Sequence, residues 1–218
     1  MIHLCIFDIT DLSYTQLREH LPQEEISRLD SKKSDAYRRA SATGRIAAAS
    51  LFYEVFHRPS PPVVVSKDGA PSFFGETCSV SISHAENLVA VAISDEGRIG
   101  VDIENHAFVR THSPERQARI RDRLRLEKFT SFTASFPYRT LALTAVGPRL
   151  SEPKENISVP SSAPVFLEQY TAFEAVIKAD GRGFFALSDA DFLSQKYSIH
   201  SGILSDKKED LYTFSIAF

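Results

Sequence analysis

Three short apolar segments between residues 79 and 104 constrain the fold of this chain more than any other feature. Ser79–Ser83, Leu88–Ser94 and Ile99–Glu104 are rich in β-branched residues, a composition typical of β-strands. The two connections, 85–87 and 95–97, are so short that they predict antiparallel pairing of consecutive strands. This run therefore favours a fold built on antiparallel sheet.

Helical periodicity on both sides of these strands adds α-helices to the prediction. Apolar residues recur at helical spacing in Ser34–Phe56 and Phe166–Ala179, and Pro114–Phe129 is typical of a charged helix. Further strands are predicted at both ends of the chain, at Ile2–Ile9, Tyr197–Leu204 and Leu211–Phe218. The order of elements predicts an α+β protein with antiparallel sheets.

The composition is that of a globular protein, and it narrows the functional classes. The chain has 218 residues and a net charge of −3, which argues against general nucleic-acid binding. No apolar run approaches the roughly 18 residues that span a bilayer, and the first ten residues lack the features of a signal peptide. Cys5 and Cys78 form no CxxC motif, which indicates free thiols in a reducing compartment. We therefore expect a cytoplasmic protein with no membrane partner.

The segment 147–164 differs from the rest of the chain. It is rich in proline and serine and has few large apolar residues. Such a composition cannot bury much apolar surface. It predicts an exposed loop.

The strand 99–104 carries two acidic residues on one face. Because side chains alternate along a strand, Asp102 and Glu104 share a face with Gly100, while Ile99, Val101 and Ile103 can enter the core. Two residues along a strand span about 6.6 Å, so both carboxylates can reach one hard cation such as magnesium. Gly100 is expected to leave room for a ligand on that face. The alternative is an ordinary solvated acidic face.

The helix 166–179 carries a second candidate pair. Glu174 and Lys178 stand four residues apart and share a helix face. They can form a surface ion pair that stabilises the helix by about 0.2–0.5 kcal/mol. Alternatively, Glu174 completes a three-carboxylate magnesium site with Asp102 and Glu104, while Lys178 approaches a phosphate.

Three more segments are candidates for binding a phosphate ligand. Ser83 and His84 end a strand at a turn, where ligand contacts often lie. Lys67 and Gly69 belong to a predicted tight turn, 67–71, that exposes backbone groups. A basic patch surrounds the start of the first long helix, and its guanidinium groups match phosphate oxygens. The patch comprises Arg28, Lys32, Lys33, Arg38, Arg39 and Arg45. Each segment also has a purely structural interpretation.

Taken in order, these segments resemble the Sfp-type 4′-phosphopantetheinyl transferases. That family carries a G-K-P turn, an N-I-S-H-S-like element, G-[IV]-D-[IV]-E and W-x-x-K-E-[AS]-x-x-K. The corresponding stretches here are Gly69–Pro71, Ser81–Ala85, Gly100–Glu104 and Tyr170–Lys178. The resemblance runs from about residue 25 to 183, and the correct order of all the motifs makes it specific.

The resemblance implies a fold of two similar α+β halves packed as a pseudo-dimer, here 1–105 and 106–218, with the active site between them. It implies an Mg²⁺-dependent enzyme that moves the phosphopantetheine arm of coenzyme A onto a serine of an acyl or peptidyl carrier protein. A pseudo-dimer of this kind can work as a monomer. By resemblance, Asp102, Glu104 and Glu174 hold magnesium, and Glu174 also deprotonates the serine. Lys178 stabilises the pyrophosphate, and coenzyme contacts come from Ser83, His84, Arg28, Arg39, Lys67 and Gly69.

Three positions depart from the family pattern. Tyr170 replaces the tryptophan of the last motif, Phe173 replaces its first lysine, and Ala70 replaces the lysine of the G-K-P turn. A second hypothesis is therefore a non-catalytic relative that binds coenzyme A or carrier protein. A third is an unrelated magnesium-dependent phosphate-transfer enzyme, although the GxxxxGK[ST] signature is absent.

Overall fold

Runs of helices and runs of strands follow one another along the chain. The computed structural model describes residues 1–66, 69–129, 139–144, 147–152, 164–181, 189–205 and 211–218. The helices are α1 Tyr14–Arg18, α2 Gln23–Asp30, α3 Asp35–Phe56, α4 Ala107–Arg110, α5 Pro114–Leu124, α6 Val165–Asp180 and α7 Ala190–Lys196. The strands are β1 Ile2–Asp8, β2 Val63–Val65, β3 Pro71–Phe73, β4 Ser79–Ala85, β5 Leu88–Ser94, β6 Gly100–Asn105, β7 Arg139–Thr144, β8 Gly147–Leu150, β9 Ile199–Ser205 and β10 Leu211–Ala217.

Most of these strands belong to two sheets. The first sheet has five strands in the order β4-β5-β1-β7-β8, and the second has three in the order β6-β10-β9. In the first sheet β1 pairs antiparallel with β5 and parallel with β7. The second sheet is antiparallel throughout. Strands β2 and β3 form a separate pair.

The two sheets pack face to face, and each is covered on its outer side by a long helix. Leu4 and Ile6 of β1 pack with Val101 of β6 in a core between the sheets. Cys5 and Phe7, which point to the other side of β1, belong to a core with α3. A third core joins α6 and α7 to the second sheet. The layers therefore run α3, first sheet, second sheet, α6.

The predicted α+β class is confirmed, and local signals explain where the two long helices begin and end. The Ser34 hydroxyl accepts the backbone N–H of Tyr37 at 3.2 Å, which caps the start of α3. Helix α3 ends at His57, which adopts a left-handed conformation with φ 52°. Helix α6 ends at Gly181, where φ is 77°. The charged helix is shorter than predicted, since Arg125 turns left-handed directly after Leu124.

Two strand predictions are wrong. Strand β6 does not pair with β5 but with β10, which lets Ile99, Val101 and Ile103 enter the core between the sheets. Residues 147–150, predicted as part of an exposed loop, form the edge strand β8. Pro148 argued against a strand here, because proline has no N–H to donate to a neighbouring strand. Proline is nevertheless tolerated at a sheet edge. Residues 153–163 of the predicted loop lie outside the described residues.

Each sheet combines strands from both sides of residue 105. Strand β6 joins the second sheet, whose other strands lie after residue 198. Strands β7 and β8 join the first sheet, whose other strands lie before residue 95. The predicted halves, 1–105 and 106–218, therefore do not coincide with the sheets.

Candidate functional site

A row of serines on β4 joins the first sheet to the second. Ser79, Ser81 and Ser83 alternate along β4 and so point to the same side. The Ser79 hydroxyl accepts the Ile99 N–H at 3.2 Å, and the Ser81 hydroxyl accepts the Val101 N–H at 3.0 Å. These hydroxyls replace the backbone carbonyls that a neighbouring strand would supply. The edges of the two sheets therefore meet along β4 and β6.

At the end of this junction, Lys178 of α6 binds the buried carboxylate of Asp102. Its ammonium group donates to Asp102 Oδ1 at 2.6 Å, to Ser83 Oγ at 2.9 Å and to the Val101 carbonyl at 3.2 Å. The Ser83 hydroxyl in turn donates to Asp102 Oδ1 at 2.8 Å. Asp102 is only 4% exposed. The first sheet, the second sheet and α6 thus each contribute one side chain to one polar cluster.

Two more carboxyl groups give this cluster an excess of negative charge. Glu104 and Glu174 lie close enough to Asp102 to feel its charge. Burial and the Asp102 carboxylate raise the pKa of Glu104 to about 7, and the same two causes raise the pKa of Glu174. Lys178 alone does not offset three carboxylates. The three candidate metal ligands predicted from the sequence therefore come together.

The cluster suits a hard cation in charge and donor type. Asp102 Oδ2 is buried and has no hydrogen-bond partner among the described residues. This oxygen, with the carboxyl groups of Glu104 and Glu174, supplies the donor atoms that magnesium prefers. The site is not preformed, since within the described ranges no three His, Cys, Asp or Glu side chains are arranged to hold a metal ion. Magnesium binding at this cluster stays a prediction.

Gly100 makes room for a helix, not for a ligand as the sequence suggested. A Cβ at this position would lie 1.9 Å from the Ala175 carbonyl oxygen and 2.6 Å from the Ala179 nitrogen. The close approach of α6 to β6 is what brings Glu174 and Lys178 to Asp102. The interpretation of Asp102 as part of a solvated acidic face is also wrong, because its side chain is buried.

The two departures in α6 occupy different environments. Phe173 is fully buried and packs edge-on against Phe129, with ring centroids 5.2 Å apart. Tyr170 lies beside Phe108, at 5.4 Å between ring centroids, and burial and the nearby Glu174 raise its pKa. Phe173 is therefore a core residue, while Tyr170 borders the carboxylate cluster.

Ser83 and His84, at the end of β4, lie on opposite sides of the strand. Ser83 is buried and already makes two hydrogen bonds within the cluster. Because side chains alternate along β4, His84 faces the other side of the strand from Ser83, and desolvation of the ring and the Lys178 charge lower its pKa. His84 is therefore neutral near pH 7 and available to a ligand, whereas Ser83 positions Lys178 and Asp102.

The predicted basic residues do not join this cluster. Arg28 pairs with Glu25 at 3.0 Å, and Arg45 binds the same carboxylate at 2.5 Å. Arg39 is half-buried, and among the described residues neither Arg28 nor Arg39 hydrogen-bonds a member of the cluster. Lys67 lies outside the described residues. The coenzyme contacts predicted for these three residues therefore stay predictions.

A groove of about 440 Å³ opens beside Lys178. One wall is β4 with the turn Gly69–Pro71, and the other is the end of α6. Gly69 adopts a φ of 84°, which favours glycine at this turn. Lys178 and Arg98 are the charged side chains among the described lining residues, and no carboxylate is among them. The groove therefore suits an anionic ligand with apolar parts.

No protein-family model matches this chain, and no curated protein matches it significantly. Among the described helices, none combines the length and the apolar character needed to cross a membrane. The function must therefore be inferred from the site itself.

Sequence reasoning missed two parts of the site. The first is the serine row of β4, whose alternation at 79, 81 and 83 was a visible signal. Serine is neutral in a strand pattern, so its pairing with β6 could not be inferred. The second is Arg98, which precedes the motif 100–104 and lacks any motif of its own.

Proposed function

We propose that this protein transfers the 4′-phosphopantetheine arm of coenzyme A to a serine of an apo carrier protein, as Sfp-type 4′-phosphopantetheinyl transferases do. One observation carries the proposal. Asp102, Glu104, Glu174 and Lys178 lie in distant motifs of the sequence and meet beside one groove that includes the turn Gly69–Pro71. A buried excess of carboxylates next to a cationic groove suits the metal-assisted chemistry of a pyrophosphate.

The layered architecture is what a pseudo-dimer of two α+β halves would produce. Each sheet has one long helix on its outer face, α3 on the first and α6 on the second. The site lies where the edges of the two sheets meet, as it would in a cleft between halves. The strands β6, β7 and β8 that cross between the halves would then tie the two units together.

Coenzyme A would bind with its nucleotide in the groove and its pyrophosphate at Lys178. A phosphate oxygen would compete with Asp102 Oδ1 for the Lys178 ammonium, and Ser83 would hold that ammonium in place. The neutral His84 ring would donate a hydrogen bond to a phosphate oxygen. Magnesium, held by Asp102, Glu104 and Glu174, would supply positive charge to the pyrophosphate when bound.

Glu174 would act as the base for the carrier serine. Burial and the Asp102 charge raise its pKa, which makes it a better proton acceptor near neutral pH. As the serine oxygen bonds to the phosphorus that carries the pantetheine arm, Glu174 takes the hydroxyl proton. The bond from that phosphorus to the bridging oxygen breaks, and its electron pair leaves with 3′,5′-ADP, whose charge Lys178 offsets.

The mass of a carrier protein tests this function. We expect apo carrier protein, incubated with this protein, coenzyme A and magnesium, to gain one phosphopantetheine arm on its serine. Binding of coenzyme A without a mass gain would favour the second hypothesis, a non-catalytic relative. If neither binding nor a mass gain occurs with any carrier, the proposed function is wrong.

The charge of α5 suggests how an acidic carrier protein would dock. Helix α5 has no buried residue, and Arg116, Arg119 and Arg123 are exposed on it. Arg125 and Lys128, just after it, already bind Asp191 at 3.0 and 3.1 Å. An acidic carrier would be attracted to the exposed arginines, which would raise the rate of encounter.

Reversing Arg119 and Arg123 to glutamate should raise the KM for carrier protein about tenfold and leave the KM for coenzyme A unchanged. Rim charges act mainly on encounter, and added salt should reduce the effect because it screens them. Steady-state kinetics measures both constants, and reversing Arg18 on α1 serves as the control. An unchanged KM for carrier in the double variant would rule out docking at α5.

A further inference from the structure

Three buried hydroxyl groups lie between α6 and the second sheet, and the proposed mechanism uses none of them. Thr171 of α6 and Ser215 of β10 are fully buried, and Ser201 of β9 is 2% exposed. The Ser215 hydroxyl oxygen lies 2.8 Å from the Thr171 hydroxyl oxygen and 2.6 Å from that of Ser201. The three hydroxyls therefore form a hydrogen-bonded row that joins the helix to two strands.

The protons of this hydroxyl row all point the same way along it. The Thr171 hydroxyl donates to the Glu168 carbonyl at 3.1 Å, which uses the only proton that this hydroxyl has. In its contact with Ser215, Thr171 must therefore be the acceptor. Ser215 must in turn accept the proton of Ser201, because its own proton is directed at Thr171. Each proton of the row is thus already bound to an acceptor.

Ser215 stands directly opposite Asp102 in the antiparallel pair of β10 and β6. Both side chains face α6, where Asp102 binds the Lys178 ammonium and the Ser215 hydroxyl contacts the same helix. Directly opposite residues have Cβ atoms about 4.5–5.5 Å apart, so a serine hydroxyl can turn toward the facing carboxylate. Yet Asp102 Oδ2 is buried and has no hydrogen-bond partner in the described part of the chain. The Ser215 proton is therefore directed away from this oxygen, toward Thr171.

We propose that Thr171 is a positioning residue, which keeps Asp102 Oδ2 free for a divalent cation by accepting the Ser215 proton. The inference rests on the proposed function, since it takes Asp102 as a magnesium ligand. A hydrogen bond from Ser215 to that oxygen would compete with a cation, and it would be strong because the acceptor is charged. Hydrogen-bonding groups outside the ligand shell commonly tune metal affinity in this way.

The hydroxyl row also has a purely structural interpretation, as a tether between α6 and β10. Thr171 lies three residues before Glu174 and seven before Lys178, on the same face of the helix. Breaking the tether would then shift both side chains. In that case loss of either hydroxyl of the 2.8 Å contact, that of Thr171 or that of Ser215, would weaken the site equally. The two interpretations therefore differ in what the removal of Ser215 does.

The test measures the affinity for magnesium alone, by isothermal titration calorimetry, in the wild type and in variants of the row. Thr171→Val keeps the shape of the side chain but releases the Ser215 proton, and we expect it to weaken magnesium binding about tenfold or more. Ser215→Ala removes that proton and should keep the wild-type affinity. The double variant, Thr171→Val with Ser215→Ala, should regain it, because no donor is left to compete. Thr171→Ser keeps the hydroxyl and should bind magnesium as the wild type does.

Thr43→Val is the matched control. Thr43 is a fully buried threonine of α3 whose hydroxyl has no hydrogen-bond partner among the described residues, so this variant should keep the wild-type affinity. If Thr171→Val does not fold, Thr171→Ala also lacks the hydroxyl and gives the same comparison.

Equal weakening in Thr171→Val and Ser215→Ala, or an unchanged affinity in Thr171→Val, would overturn the inference. If the wild type still modified carrier protein with magnesium, the proposed function would survive that result. A wild type that neither binds magnesium nor modifies carrier protein would overturn both.

Discussion

At the scale of single residues, the site is an ion pair between the half-buried Lys178 and the buried Asp102, with two further carboxyl groups nearby. Lys178 and Asp102 are 2.6 Å apart, and Ser83 bonds to both. A buried carboxylate that loses its cation is costly, whereas loss of both charges together costs much less. This asymmetry gives a direct test of the pair.

Lys178→Met should lower the free energy of unfolding by about 2 kcal/mol, because it leaves the buried Asp102 charge with only a hydroxyl partner. Adding Asp102→Asn should recover most of that loss without restoring activity. Urea denaturation measures the stabilities and a transfer assay measures the activity. Equal destabilisation in the single and the double variant would show that the two charges are not coupled.

Glu104 predicts a pH dependence of stability. Its folded pKa of about 7 lies above its ordinary value of 4.5, so the folded state holds a proton that the unfolded state has lost. Stability should therefore fall as pH rises from about 4.5 to about 7, by up to about 3 kcal/mol without metal. Denaturation at a series of pH values measures this slope.

Glu104→Gln is the control. Both proteins share all other titrating groups, such as the histidines, so the difference in their free energies of unfolding reports on Glu104 alone. This difference should be largest above pH 7, where Glu104 is ionised at its partly buried position and glutamine carries no charge. Added magnesium should reduce the loss if it binds the carboxylate. A pH profile that is identical in the two proteins would contradict the raised pKa.

The residues of the site could be predicted, but not all of their contacts. The motifs identified Asp102, Glu104, Glu174 and Lys178, and the structure brings them together. The helical spacing suggested Glu174 as an ion-pair partner of Lys178, yet the Lys178 ammonium binds Asp102 instead. Local spacing describes an isolated helix, and only packing of α6 on β6 supplies the stronger, buried partner.

At the scale of elements, the contact between α6 and β6 decides the geometry of the site. It depends on Gly100, where a Cβ would overlap the Ala175 carbonyl. The helix must approach this closely for Lys178 to reach the Val101 carbonyl at 3.2 Å. One added methyl group at residue 100 should therefore push β6 and α6 apart.

Gly100→Ala should destabilise the protein by about 3 kcal/mol, the upper range for overpacking, because backbone atoms must move. Remaining folded protein should lose transfer activity, as Glu174 and Lys178 shift away from Asp102. Gly97→Ala is the matched control, because a Cβ there would meet nothing within 4 Å. Thermal unfolding of both variants gives the comparison, and equal melting temperatures would disprove the close contact.

Most elements could be located from the sequence, but one strand, β6, was assigned the wrong neighbour. A short turn usually joins antiparallel neighbours, and β4 and β5 follow that rule. Strand β6 instead crosses to the second sheet, because its apolar residues are buried between the sheets and its backbone pairs with β10. That partner lies far along the chain, so no local pattern could reveal the pairing.

At the scale of the whole molecule, the site exists only because the two packed sheets are joined along one edge, where β4 meets β6. Ser83 comes from the first sheet, Asp102 from the second and Lys178 from the helix that covers the second. The groove lies along the same boundary, between β4 and the end of α6. Substrate binding and catalysis would therefore both depend on how the two layers are packed.

The central claim is that this junction carries out phosphopantetheine transfer with Glu174 as its base. The measurement is the rate at which apo carrier protein gains mass with coenzyme A and magnesium, compared among the wild type, Glu174→Gln and Glu168→Gln. Glu168 lies on the same helix but is not part of the carboxylate cluster, so it is a matched control. We predict transfer by the wild type and by Glu168→Gln, and a rate at least about 100-fold lower for Glu174→Gln, as expected for loss of a general base. Equal rates in all three proteins, or no mass gain in any, would contradict the account.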